Sequence, residues 1–146
     1  MKQLRKYTVP LLLLFFICLP TSACKEEEET FTTFPAPVWD VNQAEYAVNM
    51  TAVVQLPSNL IQYALEEDQL AAFAGEKCVG KGELISNGLY FVTIHGATDQ
   101  EPQIRFQYYS ARNKYLYASG ELFAFEADKV FGVIDEPEIL PFTVTK

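Results

Sequence analysis

The stretch Asp68–Gly82, DQLAAFAGEKCVGKG, decides the fold of this chain. An apolar run from Leu70 to Ala74 ends at a glycine, and a second run of strand-forming residues begins at Cys78. Short apolar runs joined by a tight glycine turn are typical of paired β-strands. Gly75 suits the turn because glycine adopts a positive φ without steric cost. The stretch therefore predicts a structural hairpin.

Two further glycines, Gly80 and Gly82, lie inside the second strand of this hairpin. Glycine weakens a strand unless it marks a β-bulge or a close approach of another backbone. We expect one of these two features at the pair. Cys78, which lies just before them, is expected to be a small buried hydrophobic residue rather than a redox thiol.

The flanking sequence also has the pattern of β-strands. Tyr46 to Leu56 alternates apolar with mostly polar residues, which predicts a half-buried strand with Met50, Ala52 and Val54 on its inner face. Asn87-Gly88 separates two β-rich runs and predicts a hairpin with a type I′ turn. The strand from Gln103 to Tyr109 is predicted to place alternate residues, beginning with Ile104, on one face.

Shorter β-rich runs complete the pattern, and these are Tyr115 to Ala118, Leu122 to Ala127, Val130 to Ile134 and Ile139 to Val144. The chain thus has eight or nine short strands and no convincing amphipathic helix. We predict an all-β fold, a single antiparallel two-sheet sandwich of immunoglobulin-like type. An open barrel is the alternative.

The N-terminus has the pattern of an export signal. Basic residues precede the unbroken apolar run from Leu11 to Leu19, and small residues lead to Cys24. Nine helical residues rise about 14 Å, roughly half of a ~30 Å hydrocarbon core, so a membrane span is excluded. Ordinary cleavage after Ala23 would leave Cys24 as a plain residue.

Thr21-Ser22-Ala23-Cys24 resembles a bacterial lipobox, although Thr21 stands where leucine is usual. The acidic run Lys25–Glu29 then resembles the export signal of Bacteroidetes-type surface lipoproteins. This resemblance implies that Cys24 carries acyl chains such as palmitate, and several chains on one residue anchor a protein stably. It implies a location on the outer face of the outer membrane, with a periplasm-facing protein as the alternative.

The charge of the mature chain excludes some partners. Without Lys2, Arg5 and Lys6 of the signal, eight basic residues face 19 acidic ones, a net charge of −11. No basic cluster is present, so nucleic-acid binding is not expected. Of the three cysteines, Cys18 leaves with the signal and Cys24 is the predicted lipidation site, so no internal disulfide is expected.

The sequence predicts neither catalysis nor a metal or other cofactor. The single histidine, His95, has no nucleophile or orienting acid linked to it by a known spacing. One histidine and Cys78 cannot supply the three or four ligands of a zinc site. Carboxylates in the loops suit calcium better than catalysis, but no calcium-loop motif is present.

Tyrosines are the strongest candidates for ligand contact. Tyr108-Tyr109 and Tyr115-x-Tyr117 flank one predicted turn, so facing strands are predicted to show a tyrosine patch. Such a patch has apolar bodies and hydroxyl groups, and it suits a sugar ring or a protein partner. The competing interpretation places one face of these strands in the core and leaves the remaining rings scattered.

The segments AAFAGEKCVGKG, GLYFVTI and IRFQYYSARNKYLY resemble a β-sandwich module of secreted and surface proteins in the same bacterial group. Its pattern reads Asp-x-Leu/Val-Ala-Ala-Phe-x-Gly-x-x-Cys-Arg-Gly, and Val79 departs from the usual arginine. The resemblance covers about Val48 to Phe142. It implies a fold and carries no established activity.

We therefore divide the chain into a lipoprotein signal peptide (1–23), an acidic tether with Pro and Thr (24–37) and a β-sandwich domain (38–146). The expected function is non-catalytic recognition of extracellular glycan or protein by a lipid-anchored cell-surface module. The alternative is a structural or assembly subunit of an outer-membrane envelope complex.

Replacing Cys24 with Ala removes the predicted acylation site, so the protein should move from the membrane fraction to the soluble fraction of cells. Immunoblotting of fractionated cells measures this, with Cys78→Ala as the matched control that should stay with the membrane. Retention of the Cys24 variant in the membrane would contradict lipid anchoring.

Overall fold

The computed structural model describes residues 30–146, and within this range the protein is nearly all β. The strands are β1 (Val48–Gln55), β2 (Gln69–Ala74), β3 (Lys77–Ser86), β4 (Leu89–Gly96), β5 (Gln103–Ser110), β6 (Tyr115–Ser119), β7 (Phe123–Ala124), β8 (Val130–Phe131), β9 (Glu138–Ile139) and β10 (Phe142–Val144). One helical turn, α1 (Ser58–Ile61), and a 3-10 helix, Gln43–Glu45, accompany them. The signal peptide, Cys24 and Lys25–Glu29 lie outside the described residues.

The strands form one continuous hydrogen-bonded path in the order β10-β6-β5-β2-β3-β4-β1-β8. Two short strands lie off this path, β7 beside β5 and β9 beside β1. Strand β3 joins the two halves, because its residues from 77 to 81 pair with β2 and those from 82 onward pair with β4. The result is a curled sheet.

The sheet is mixed, because β8 and β9 both run parallel to β1. The prediction of a purely antiparallel fold was therefore wrong for these two pairings. Each pairing involves only two residues of each strand. Strands this short have no periodic pattern in the sequence that would predict whether they pair parallel or antiparallel. The finer division into an immunoglobulin-like sandwich stays a prediction.

The core lies between the inner faces of the curled sheet. Met50, Ala52 and Val54 of β1 are buried in one apolar cluster, as their spacing predicts. Val53 lies on the opposite face and is buried too, and a Cβ on Gly132 would lie 2.6 Å from its carbonyl oxygen. In β5, the predicted inner face is confirmed, and its residues are Ile104, Phe106 and Tyr108.

The hairpin of the opening stretch is confirmed as β2 and β3. Gly75 has φ +59° in the turn. The register shifts after Ala72, so that Val79 is the extra residue of a β-bulge and is buried. A Cβ on Gly80 would lie 2.7 Å from the carbonyl oxygen of Thr93, so this glycine also marks a close backbone approach.

The second predicted hairpin is confirmed as β3 and β4, with Asn87-Gly88 as its two-residue loop. Its turn type differs from the prediction. A type I′ turn has positive φ at both central residues, whereas only Gly88 has it here, at +66°. A register shift between Leu84 and Ser86 accommodates the difference in strand twist.

Gly80→Ala should destabilise the domain by about 1–3 kcal/mol, because backbone atoms rather than a flexible side chain occupy the space of the new methyl group. Urea denaturation followed by circular dichroism measures the change. Gly120→Ala is the matched control, since nothing lies within 4 Å of its Cβ position, and it should change stability by less than about 0.5 kcal/mol. Equal stability of the two variants would contradict the close approach at Gly80.

Candidate functional site

Residues 30–42, which we call the arm, lie along the domain before the first strand. The N–H of Phe34 donates to the carbonyl of Lys114 at 2.8 Å, and the ring of Phe31 packs edge-on against Tyr115. The part of the predicted tether from Phe31 to Pro37 is thus in contact with the domain. Trp39 packs edge-on against Phe73 of β2, so this end of the arm is also docked on the domain.

Beyond Trp39 the arm forms one wall of a concavity of about 380 Å³, which we call the outer groove. Its lining includes Asp40, Gln43, Glu83, Phe91, Thr93 and His95. The three residues from β4 share one face because they alternate with the buried Tyr90, Val92 and Ile94. The strand alternation that builds the core therefore also directs these side chains outward.

The outer groove combines one aromatic ring with several polar groups. Phe91 is half-buried, and the exposed carboxylates of Asp40 and Glu83 line the same space. Burial lowers the pKa of His95, so its imidazole is neutral near pH 7 and offers one donor and one acceptor. An apolar face surrounded by donors and acceptors is the composition of a site for a sugar ring or a peptide.

The four tyrosines predicted to share an exposed face do not do so. Tyr108 is 1% exposed and Tyr109 is 3% exposed, while Tyr115 and Tyr117 are half-buried. Tyr108 belongs to the inner face of β5, and Tyr117 packs against its ring at 5.8 Å. The hydroxyl of Tyr109 donates to the carbonyl of Phe34, so the arm covers the opposite face. The prediction that these four tyrosines form one exposed patch was therefore wrong.

Asp68, rather than these tyrosines, is the polar centre of this region. Its buried carboxylate accepts hydrogen bonds from the backbone N–H groups of Leu65 at 2.8 Å and Ala111 at 2.7 Å. The hydroxyl of Tyr108 also donates to it. Burial raises the pKa of Tyr108, and the hydrogen bond to Asp68 raises it further. In the sequence, Asp68 is an acid that immediately precedes a predicted strand. That position predicts only a loop residue.

Tyr90 lies near this centre and contrasts with Tyr108. Both side chains are buried to the same degree, but the Tyr90 hydroxyl has no hydrogen-bond partner among residues 30–146. Burial raises the pKa of Tyr90, and the charge of Asp68 adds to the rise. For a tyrosine on an apolar inner face, the sequence does not show whether the hydroxyl has a hydrogen-bond partner.

Cys78 is half-buried, with its Sγ 3.7 Å from the carbonyl oxygen of Gly80. Burial raises the pKa of this thiol, which disfavours the reactive thiolate. The expected full burial is not reached, because the bulge places Val79 instead of Cys78 in the core.

No family model, no curated protein and no solved structure matches the chain. Within the described range, no group of three or more His, Cys, Asp or Glu side chains is arranged to hold a metal ion. None of the helices between residues 30 and 146 has the length and apolar character to cross a membrane.

Tyr108→Phe should destabilise the domain by about 1.5–3 kcal/mol, because a buried carboxylate loses a donor. Tyr90→Phe removes a hydroxyl that has no partner, so it should leave stability unchanged or raise it. Denaturant titration of the matched pair measures the difference. A loss of stability in Tyr90→Phe equal to that in Tyr108→Phe would contradict the assignment of hydrogen bonds.

Proposed function

We propose that the protein is a non-catalytic binding module, lipid-anchored to the outer membrane and facing the cell exterior, that recognises extracellular glycan or protein through the outer groove. The observation that carries the binding proposal is the half-buried Phe91 amid carboxylate, amide, hydroxyl and imidazole groups. The lipobox-like sequence that ends at Cys24 and the acidic run after it support the location. A periplasm-facing orientation of the same anchor is the alternative.

Exposure of the groove carboxylates favours binding over glycoside hydrolysis. Asp40 and Glu83 line one concavity, as the two acids of a glycosidase would. A glycosidase needs one of its acids to hold a proton near neutral pH, and burial in an apolar site is the usual means of raising that pKa. Both side chains here are exposed to solvent. We therefore assign them to hydrogen bonding with a ligand.

The curled sheet supports the finer fold proposal of an immunoglobulin-like sandwich. Strand β3 changes partner from β2 to β4 at the two glycines, which divides the path into two halves with one shared core cluster. Strands that pass from one sheet to the other at bulges or bends are a known way of building such corners. Ligand sites on the outer faces are compatible with this arrangement.

A second candidate function, an assembly subunit of an envelope complex, has an observation of its own. Four apolar side chains at the β8–β9 end of the sheet are between 50% and 63% exposed, and they are Val130, Val133, Ile134 and Ile139. Clustered apolar side chains at a surface mark sites that another protein covers. In this function the β8–β9 end, and not the outer groove, makes the essential contact.

Phe91→Ala should weaken retention of the protein on glycan affinity gels by about tenfold or more, since truncating a central aromatic anchor removes most of its contact energy. The experiment uses the full mature chain in a detergent without a sugar headgroup. Tyr63→Ala is the aromatic control, because Tyr63 is exposed and lies outside the groove. The control should bind as the unaltered protein does.

The same preparation separates the two candidate functions. Loss of binding in Phe91→Ala alone supports the binding module. Failure of every glycan and protein ligand to bind, together with co-purification of one envelope protein that Val133→Asp abolishes, would overturn it in favour of the assembly subunit.

A further inference from the structure

A second cavity lies where β3 leaves β2. Its volume is about 310 Å³, and we call it the arm cavity. Asp68 and Gln69, at the start of β2, form one side, and Gly82 and Leu84 of β3 form the other. The arm residues from Pro37 to Trp39 form part of its outer wall. The cavity thus exists because β3 exchanges one partner strand for another at this point.

The inner boundary of the arm cavity carries an unsatisfied polar group. Tyr90 lines the cavity and is 1% exposed, and its hydroxyl is one of two buried side-chain oxygens without a hydrogen-bond partner within residues 30–146, the other being that of Tyr46. Leaving a buried hydroxyl unpaired costs about 1–3 kcal/mol. A ligand oxygen that hydrogen-bonds to this hydroxyl would recover that cost, so the group favours an occupant of the cavity.

A ligand would reach the buried Tyr90 hydroxyl by displacing the arm residues from Pro37 to Trp39. Val38 is 95% exposed, so its own side chain has little packing to lose if the arm shifts outward. Trp39 is held against Phe73 by an edge contact, and its ring would form one side of an opened cavity. Local opening at Pro37–Trp39 would leave the hydrogen bonds of Phe34 in place and would cost mainly the contact between Trp39 and Phe73.

The walls indicate the class of ligand. Trp39, Pro37 and Leu84 are apolar, whereas Gln69, Glu66 and Lys81 offer hydrogen bonds. Two carboxylates, those of Glu66 and Asp68, face one cation, so the charge balance disfavours anions. A ligand with an apolar face and a rim of hydroxyl groups would match these walls. The volume of the cavity lies at the small end of the ~300–1,000 Å³ usual for ligand sites. A single neutral sugar ring has the size, charge and surface that these walls favour.

We infer that the arm cavity is a subsite for a single neutral sugar ring, which packs against Trp39 and hydrogen-bonds to the Tyr90 hydroxyl. The inference rests on the proposed function as a glycan-binding module. Lys81 and Gly82 line both the arm cavity and the outer groove, so the two sites are adjacent. A glycan chain bound along the outer groove would place a terminal ring in the arm cavity.

Trp39 is the only tryptophan of the chain, so its fluorescence reports on the arm cavity. The probes are methyl glycosides of glucose, galactose, mannose and N-acetylglucosamine, titrated into the full mature chain in a detergent without a sugar headgroup. At least one should change the fluorescence with saturation. Tyr90→Phe should weaken that binding about three- to tenfold, the effect of one hydrogen bond. Tyr63→Phe, outside the cavity, should have no effect, and sorbitol should give no saturable signal.

Phe91→Ala separates this inference from the proposed function. Saturable binding of a methyl glycoside that Tyr90→Phe weakens and Phe91→Ala leaves intact supports the arm cavity as a subsite. No fluorescence response, or a response that is equal in Tyr90→Phe, overturns the subsite, even where glycan gels still retain the protein through Phe91. Failure of glycan gels to retain the unaltered protein, together with an intact fluorescence response, would instead reject the outer groove and leave the subsite in place.

Discussion

The carboxylate of Asp68 is the interaction on which the rest of the described structure depends. A buried carboxylate costs several kcal/mol unless hydrogen bonds satisfy it, and three donors do so here. They come from Leu65 before β2, from Tyr108 in β5 and from Ala111 after β5. One side chain thereby locates three segments that lie up to 46 residues apart in sequence, 65 to 111. The start of β2 and the β5–β6 turn are held in one place.

A change of partner within β3 has consequences beyond the fold. The strand leaves β2 near Lys81 and continues with β4, and this change opens the arm cavity. The arm then forms part of the wall of this cavity and of the outer groove as well. The polypeptide that leads from the proposed lipid anchor is therefore part of both candidate ligand sites. Anchoring and binding are proposed for neighbouring parts of the chain.

Much of the fold was predictable, because strand periodicity is a local property. Alternation in β1 and β5 predicted the inner residues, and the glycine turns at Gly75 and Gly88 predicted both hairpins. The parallel pairing of β8 and β9 with β1 was not predictable, since it joins two-residue segments that are far apart in sequence. The outer groove was not predictable either, because Asp40 and Phe91 meet only through the path of the arm.

The sequence by itself determined an all-β domain, the positions of its main strands and the residues of their inner faces, because burial on one face leaves a period of two in the chain. Tertiary structure alone decided which outer faces meet solvent. Tyr109 alternates out of the core and is still buried, because the arm lies over it. Tyr108 and Tyr90 are equally apolar in pattern, yet only Tyr108 finds a carboxylate. Such differences depend on contacts between distant segments, which no local pattern encodes.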